Sequence, residues 1–245
     1  MNAALAAAAT LVAVAFALST LDRWLRRRRP HELAWTVSLG LFAVGSLALW
    51  WAEAVGWSLG TFRVFYTAGA VLNVPWLALG TVYLLAGQRV GDRVRWWLVF
   101  LSGLTVGVVG MAPAKAAVLP DEFPTGKDVF GVAPRVLAAV GSGVAALVII
   151  VGAVWSAWRV WRGRNPSLDG QRNIAAPGRL VLGNLLIAAG TLVLSASGTL
   201  AGRLGKDRAF AVTLLVGIVI LFIGFLVASA PPRRRPAAVE LRSVA

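Results

Sequence analysis

The chain has 245 residues, a formal net charge of +14 at pH 7 and no cysteine. Hydrophobic residues make up 58% of it and charged residues only 14%, with a mean hydropathy of +0.77, whereas about a quarter of the residues of a soluble domain are charged. These values exclude an ordinary soluble domain, a disulfide framework and thiolate chemistry. They predict a protein that lies mostly in a lipid bilayer.

Apolar residues are grouped into seven blocks, and an α-helix needs about 20 such residues to cross the hydrocarbon core of a bilayer. We therefore predict an all-α integral membrane protein in which residues 1–230 form seven transmembrane helices. The tail at 231–245 is expected to be short, basic, disordered and cytoplasmic, because it is rich in prolines and charges. The seven blocks cover residues 3–22, 33–55, 64–86, 96–112, 134–158, 179–200 and 209–230.

The first block has no charged residue from Met1 to Thr20 and is followed directly by the arginine-rich stretch RWLRRRRP at 23–30. A secretory signal peptide carries its basic region before the apolar run, so we expect this helix to be retained. The arginines are expected to hold the helix against anionic headgroups. A nucleic-acid arm would normally extend as a longer tail, and no nucleic-acid partner is predicted.

The remaining basic residues predict the orientation, because basic residues in short loops stay on the cytoplasmic side during insertion. Most of the 24 lysines and arginines follow the first, third, fifth and seventh blocks. This pattern places the N-terminus outside and the C-terminus in the cytoplasm. Arginine far exceeds lysine, and Ala, Val and Gly are abundant, as in GC-rich bacterial genes. The predicted location is therefore the bacterial cytoplasmic (inner) membrane, as a multi-pass plasma membrane protein.

The third block, FRVFYTAGAVLNVPWLALGTVYLLAG, carries a polar and aromatic stripe. Tyr66, Asn73, Trp76 and Tyr83 recur at helical spacing, with glycines between them, and therefore share one face of a helix. Polar side chains at membrane depth are costly unless they are paired or face a cavity. We predict that these four residues bind a ligand; close helix packing is the alternative.

Pro75 interrupts the same helix. Proline has no N–H and its ring crowds the preceding turn, so the carbonyl of Val71 is expected to lose its usual partner and the helix to kink there. A kinked helix that presents this stripe inward would line a pocket.

The longest outer loop, at about 113–133, mixes prolines, charges and two phenylalanines, and we expect it to form an ordered cap. Its Gly-Lys-Asp triplet at 126–128 recurs at 205–207 in the last outer loop. The two triplets either form a mouth or lid on one side of the membrane or are two solvated turns.

The fifth block ends in RVWRGRNP at 159–166, which resembles the stretch RWLRRRRP after the first block at a constant offset. The stretch GTLVLS at 190–195 likewise parallels GSLALW at 45–50. Carriers built as a parallel 3+1+3 repeat would show this pattern. Arginines after a helix and small residues within one are also common in membrane proteins. The alternative, that the two halves are not a repeat, therefore stays open.

The sixth block has a second polar stripe, formed by Asn184, Thr191 and Ser195. We predict that these residues complete the ligand pocket with the third helix, since pockets often form between helices. Small and hydroxyl side chains also let membrane helices pack closely, and packing is the alternative here as well.

Several membrane chemistries are excluded by the residue inventory. His31 is the one histidine of the chain, so a bis-histidine haem cannot form, and no zinc-ligand spacing accompanies it. The lysines fall in or beside outer loops, which excludes a Schiff base at mid-membrane. The Thr-Gly-Lys-Asp stretch at 125–128 lacks the glycine and hydroxyl of a phosphate loop. We expect no catalytic residue, no metal ligand and no cofactor, and hence no enzyme.

Two classes of function remain. A carrier or channel for a small neutral or lipophilic solute, which passes through a pocket lined by helices 3 and 6, fits the proline and the two stripes. A seven-helix sensor or accessory subunit that acts through a partner protein, without an output domain of its own, needs only packing faces. The sequence allows as partners the anionic bilayer, a small-molecule or lipid ligand, and a membrane protein or second copy of the chain.

Overall fold

The computed structural model describes residues 2–162, 182–183, 185–194 and 207–229, and within these ranges every regular element is a helix. A π-helical segment, Tyr66–Leu72, joins α3 to α4 without a break. The helices are α1 (Asn2–Arg27), α2 (Pro30–Val55), α3 (Leu59–Phe65), α4 (Asn73–Ala86), α5 (Gln88–Met111), α6 (Gly126–Val129), α7 (Val132–Trp161), α8 (Leu185–Leu194) and α9 (Asp207–Ser229).

Five of the described helical stretches are long and apolar enough to cross a membrane. The all-helical class predicted from the sequence is therefore confirmed for the described residues, and these five stretches suit a protein embedded in a membrane. α8 and the apolar part of α9, Ala211–Val227, are shorter than these five stretches. A total of seven membrane spans therefore stays a prediction. The five stretches are Ala3–Arg27, Pro30–Val55, Leu59–Ala86, Gln88–Met111 and Val132–Ser156.

α5 begins well before the predicted fourth block at 96–112. Its first turns contain charged residues, and they continue the helix beyond the apolar stretch. Two contacts at this end explain the extension. Tyr83 donates a hydrogen bond to Asp92 across 2.9 Å, and Asp92 lies 3.5 Å from Arg95. Helical charged segments of this kind are not visible in a search for apolar residues alone.

α1 packs between α2 and α9. Its buried face consists of Ala6, Ala9, Ala13 and Phe16, at the three- and four-residue spacing of one helical stripe. The Phe16 ring contacts two rings of α9, with ring centroids 4.6 and 4.8 Å apart. Small alanines thus bring α1 close to α2, and Phe16 fills the space toward α9.

α2 crosses the π-helical segment at a pair of glycines. A Cβ atom placed on Gly45 would lie 3.0 Å from the Cα of Gly69, which leaves almost no room for a side chain. Glycine at such a crossing lets two membrane helices approach until their backbones touch. This contact places α2 against the part of the chain that carries the predicted stripe.

We expect Gly45→Ala to destabilise the protein by about 1–3 kcal/mol, because the added methyl group has to displace backbone atoms. Gly40→Ala on the same helix is the matched control, since its Cβ would meet no atom within 4 Å. The control substitution should leave the free energy of unfolding unchanged or raise it by up to about 1 kcal/mol, because alanine has the higher helix propensity. Unfolding of the detergent-solubilised variants measures both values, and equal effects would contradict the crossing.

Candidate functional site

A cavity of about 640 Å³ lies between α2, the α3–α4 stretch and α7. The loop between α5 and α7 closes one end of it, and Leu194 of α8 and Leu214 of α9 contribute to its wall. Five aromatic side chains line it, and small residues of α7 form the facing surface. The aromatic lining residues are Phe42, Phe62, Phe65, Tyr66 and Phe123.

The cavity lies beside the π-helical segment, and Pro75 explains why the helix is irregular here. In the wider register the N–H of Asn73 bonds to the carbonyl of Ala68, five residues earlier. The carbonyl five residues before Pro75 is that of Ala70, and proline offers it no donor. The hydroxyl of Ser142 on α7 donates a hydrogen bond to the Ala70 carbonyl instead.

A second hydroxyl donates a hydrogen bond to the backbone directly after the same segment. Ser38 on α2 donates to the carbonyl of Asn73 across 2.8 Å. On the α7 side, a Cβ on Gly141 would lie 3.9 Å from the Pro75 ring, so α7 packs directly against the proline. Neighbouring helices thus supply the hydrogen bonds that an irregular helix needs in lipid.

The irregularity predicted from Pro75 is confirmed, but it differs in form from the predicted kink at Val71. A π-helical turn holds one extra residue, and one residue corresponds to about 100° of rotation around an α-helix. Residues after the segment are therefore rotated relative to those before it. Within Tyr66–Leu72, the carbonyl of Ala70 receives a hydrogen bond from the hydroxyl of another helix.

This rotation divides the predicted stripe. Tyr66 and Asn73 line the cavity, and both are buried. Trp76 instead donates from Nε1 to Ser102 of α5 across 3.2 Å, and Tyr83 bonds to Asp92 of the same helix. The predicted ligand face is thus divided between the cavity and the contact with α5.

The predicted residues of the sixth block are less well placed for the cavity. Thr191 is buried, and its hydroxyl donates to the carbonyl of Ile187 in its own helix across 2.8 Å. It does not line the cavity, whereas Leu194 of the same helix does. Asn184 and Ser195 lie outside the described residues.

The contributions of α2 and α7 to the cavity wall were not predicted from the sequence. Phe42 and Ser46 of α2 line the cavity, as do Ser142 and Gly143 of α7. The small residues Gly-Ser-Gly at 141–143 were the available signal, because such residues mark places where something lies close to a helix. Their pattern alone does not distinguish a neighbouring helix from a ligand.

Four of the hydroxyl and amide donors on the cavity wall, those of Ser46, Tyr66, Asn73 and Ser142, contact backbone carbonyls. Ser46 donates to Ala43 across 3.1 Å, and Tyr66 and Asn73 make longer contacts of 3.5 Å with Pro134 and Gly69. Lys127 is the one charged residue among the described lining residues. Such a surface, largely apolar with a few polar groups, is suited to binding.

The loop between α5 and α7 forms the cap that the sequence predicts. The N–H of Trp57 bonds to the carbonyl of Pro120, and that of Lys115 to the carbonyl of Val129, both across 2.9 Å. Gly126 lies directly on Tyr66, since a Cβ there would be 2.6 Å from the tyrosine ring. The loop therefore seats its Thr-Gly-Lys segment on the aromatic end of the cavity.

Arg63 fastens the same end of the bundle to α5. Its Nη2 donates to the carbonyl of Ala112 across 2.7 Å, and Ala112 is the residue that follows the last turn of α5. A cation at the C-terminus of a helix is favourable, because the unpaired carbonyls there carry partial negative charge. The capped end of the cavity is thus bonded to the C-terminus of α5.

Within the described ranges, no three His, Asp or Glu side chains lie close enough together to hold a metal ion. Comparison of the chain with protein-family models, with characterised proteins and with solved structures gives no significant match. The function is therefore inferred from the cavity and its surroundings.

Ser142→Ala removes the donor to the Ala70 carbonyl, and we expect a loss of about 0.5–2 kcal/mol in the free energy of unfolding. In a Pro75→Ala background, residue 75 regains its N–H, so the same change should cost less than half as much. Denaturant unfolding in micelles measures this double-mutant cycle. Ser46→Ala is the control, because that hydroxyl bonds within its own helix. Equal costs in both backgrounds would contradict the role of Ser142.

Proposed function

We propose that this protein is a carrier or channel that binds a small neutral or lipophilic solute in the cavity and moves it across the membrane. The cavity itself is the observation that supports this function. Its volume of about 640 Å³ lies in the range of about 300–1,000 Å³ that holds drug-sized ligands. The π-helical wall adds support, since π-helical turns are frequent at functional sites.

The proposal includes a full topology of seven spans in the bacterial cytoplasmic membrane, with the N-terminus outside. The distribution of basic residues supports it. In this arrangement RWLRRRRP and the turn between α4 and α5 face the cytoplasm, and the cap over the cavity faces outward. The solute would then enter or leave at the cap, on the outer side.

The topology can be tested with single cysteines, because the chain has none of its own. Asp121 in the cap and Gln88 at the start of α5 are both exposed. In intact cells we expect Asp121→Cys to react with a membrane-impermeant maleimide and Gln88→Cys to react only after the cells are opened. The opposite labelling pattern would show that the proposed orientation is inverted.

The cavity can be tested by filling it. A Cβ on Gly143, which lines the cavity, meets no atom within 4 Å, so Gly143→Trp should fold and occupy the space. Mass spectrometry of molecules retained by the purified protein should show at least a tenfold lower occupancy than in the unsubstituted protein. Asn73→Leu should also abolish solute uptake, because it replaces a polar group of the wall.

Gly103→Trp on α5 is the matched control, since its Cβ is equally free and it does not line the cavity. We expect this variant to keep its retained molecule, and thermal unfolding should show that all three variants are folded. A retained molecule unaffected by Gly143→Trp would place binding elsewhere and contradict the carrier proposal.

The second candidate function is a sensor or accessory subunit that acts through a partner. An exposed apolar stripe along α7 favours it, because its residues recur at the heptad spacing of packed helices. A protein that co-purifies in mild detergent, with no small molecule retained, would favour this second function over the first. The stripe consists of Val140, Val144, Leu147, Val151 and Val154, each more than half exposed.

A further inference from the structure

We propose that the ligand of the cavity is an anionic amphiphile, whose apolar chain lies among the aromatic rings and whose carboxylate or phosphate pairs with Lys127. This inference rests on the proposed function, because it specifies the ligand class of the same cavity. Among lipophilic molecules, it selects those with a negative headgroup.

The first argument is the shape and chemistry of the wall. The rings of Phe42, Phe62 and Phe65 face the cavity from α2 and α3. On the facing side α7 contributes Ala138 and Gly143, which offer a smooth apolar surface. Burial of apolar surface stabilises a bound hydrocarbon chain roughly in proportion to its area. The cavity wall therefore accommodates the apolar part of the ligand.

The second argument is the position of the charge. Lys127 lies in the cap, beside Gly126, which rests on the ring of Tyr66. Lys127 lines the cavity at the end that the cap closes, and it is exposed there, as a residue that meets the headgroup of an amphiphile at the water boundary would be. A lysine offers three N–H donors and no acceptor, so it pairs with an anion and repels a cation.

The third argument concerns the other charges at this end. Asp128 follows Lys127, but its carboxylate accepts a hydrogen bond from Thr125, and it does not line the cavity. Asp121 and Glu122 are exposed in the same loop and also lie outside the wall. Within the described residues no carboxylate lies within 4 Å of the Lys127 ammonium. The cap thus presents a positive charge to the cavity itself.

The experiment compares ligands with the same chain and different headgroups. The full-length protein is placed in nanodiscs of zwitterionic phosphatidylcholine, and binding of radiolabelled dodecanoate, dodecyl phosphate and dodecanol is measured. We expect Lys127→Met to weaken binding of the preferred anion by about tenfold. Binding of dodecanol should change by less than about twofold, because it makes no ion pair.

Two further variants separate the role of this lysine from a general charge effect. Lys127→Arg should keep most of the affinity for the anion, since it keeps the charge. Lys115→Met removes a lysine from the same loop that does not line the cavity, and it should leave all three affinities unchanged. Comparison of dodecanoate with dodecyl phosphate shows whether a free fatty acid or a phosphate headgroup is the better fit.

The possible failures are distinguishable. If the unsubstituted protein binds dodecanol as tightly as both anions, and Lys127→Met changes nothing, the anionic class is wrong while the cavity still binds lipophilic solutes. An equal loss in Lys115→Met and Lys127→Met would also overturn the proposal. If no probe binds and Gly143→Trp has no effect on retained molecules, both this inference and the proposed function fail.

Discussion

Inside a bilayer every backbone carbonyl needs a hydrogen-bond donor, and no water is present to supply one. Pro75 removes a donor in the middle of the third span, so the structure around it has to provide another. Ser142 of α7 donates a hydrogen bond to the carbonyl of Ala70, inside the π-helical segment. This contact and the packing of Gly141 on the Pro75 ring hold α7 against the span, and α7 forms one wall of the cavity.

The same register also distributes the polar side chains. At the start of the π-helical segment and directly after its end, Tyr66 and Asn73 line the cavity. After it, Trp76 and Tyr83 face α5 and bond to Ser102 and Asp92. In the sequence these four residues form one continuous stripe. One extra residue in a helical turn divides this stripe into a cavity-lining surface and a helix-packing surface.

Much of the architecture was predictable from the sequence because it depends on local properties. Long apolar blocks require helices in lipid, and a proline inside one of them requires an irregular turn. The identity of the cavity wall was not predictable in the same way. Ser142 and Gly143 have their roles only because α7 packs against Pro75, and this is a tertiary relation between segments far apart in the chain. The roles predicted for Asn184 and Ser195 stay predictions.

α9 packs through two glycine contacts, one with α8 and one with Gly183, which precedes α8 in the chain. A Cβ on Gly190 would lie 2.9 Å from the Gly217 carbonyl, and one on Gly224 the same distance from the Gly183 carbonyl. The paired positions run in opposite directions at equal intervals, so the helices are antiparallel and in a single register. Sliding by one residue would press side chains into backbone at both points. The two close contacts therefore fix how the segments that carry Leu194 and Leu214 to the cavity wall are paired.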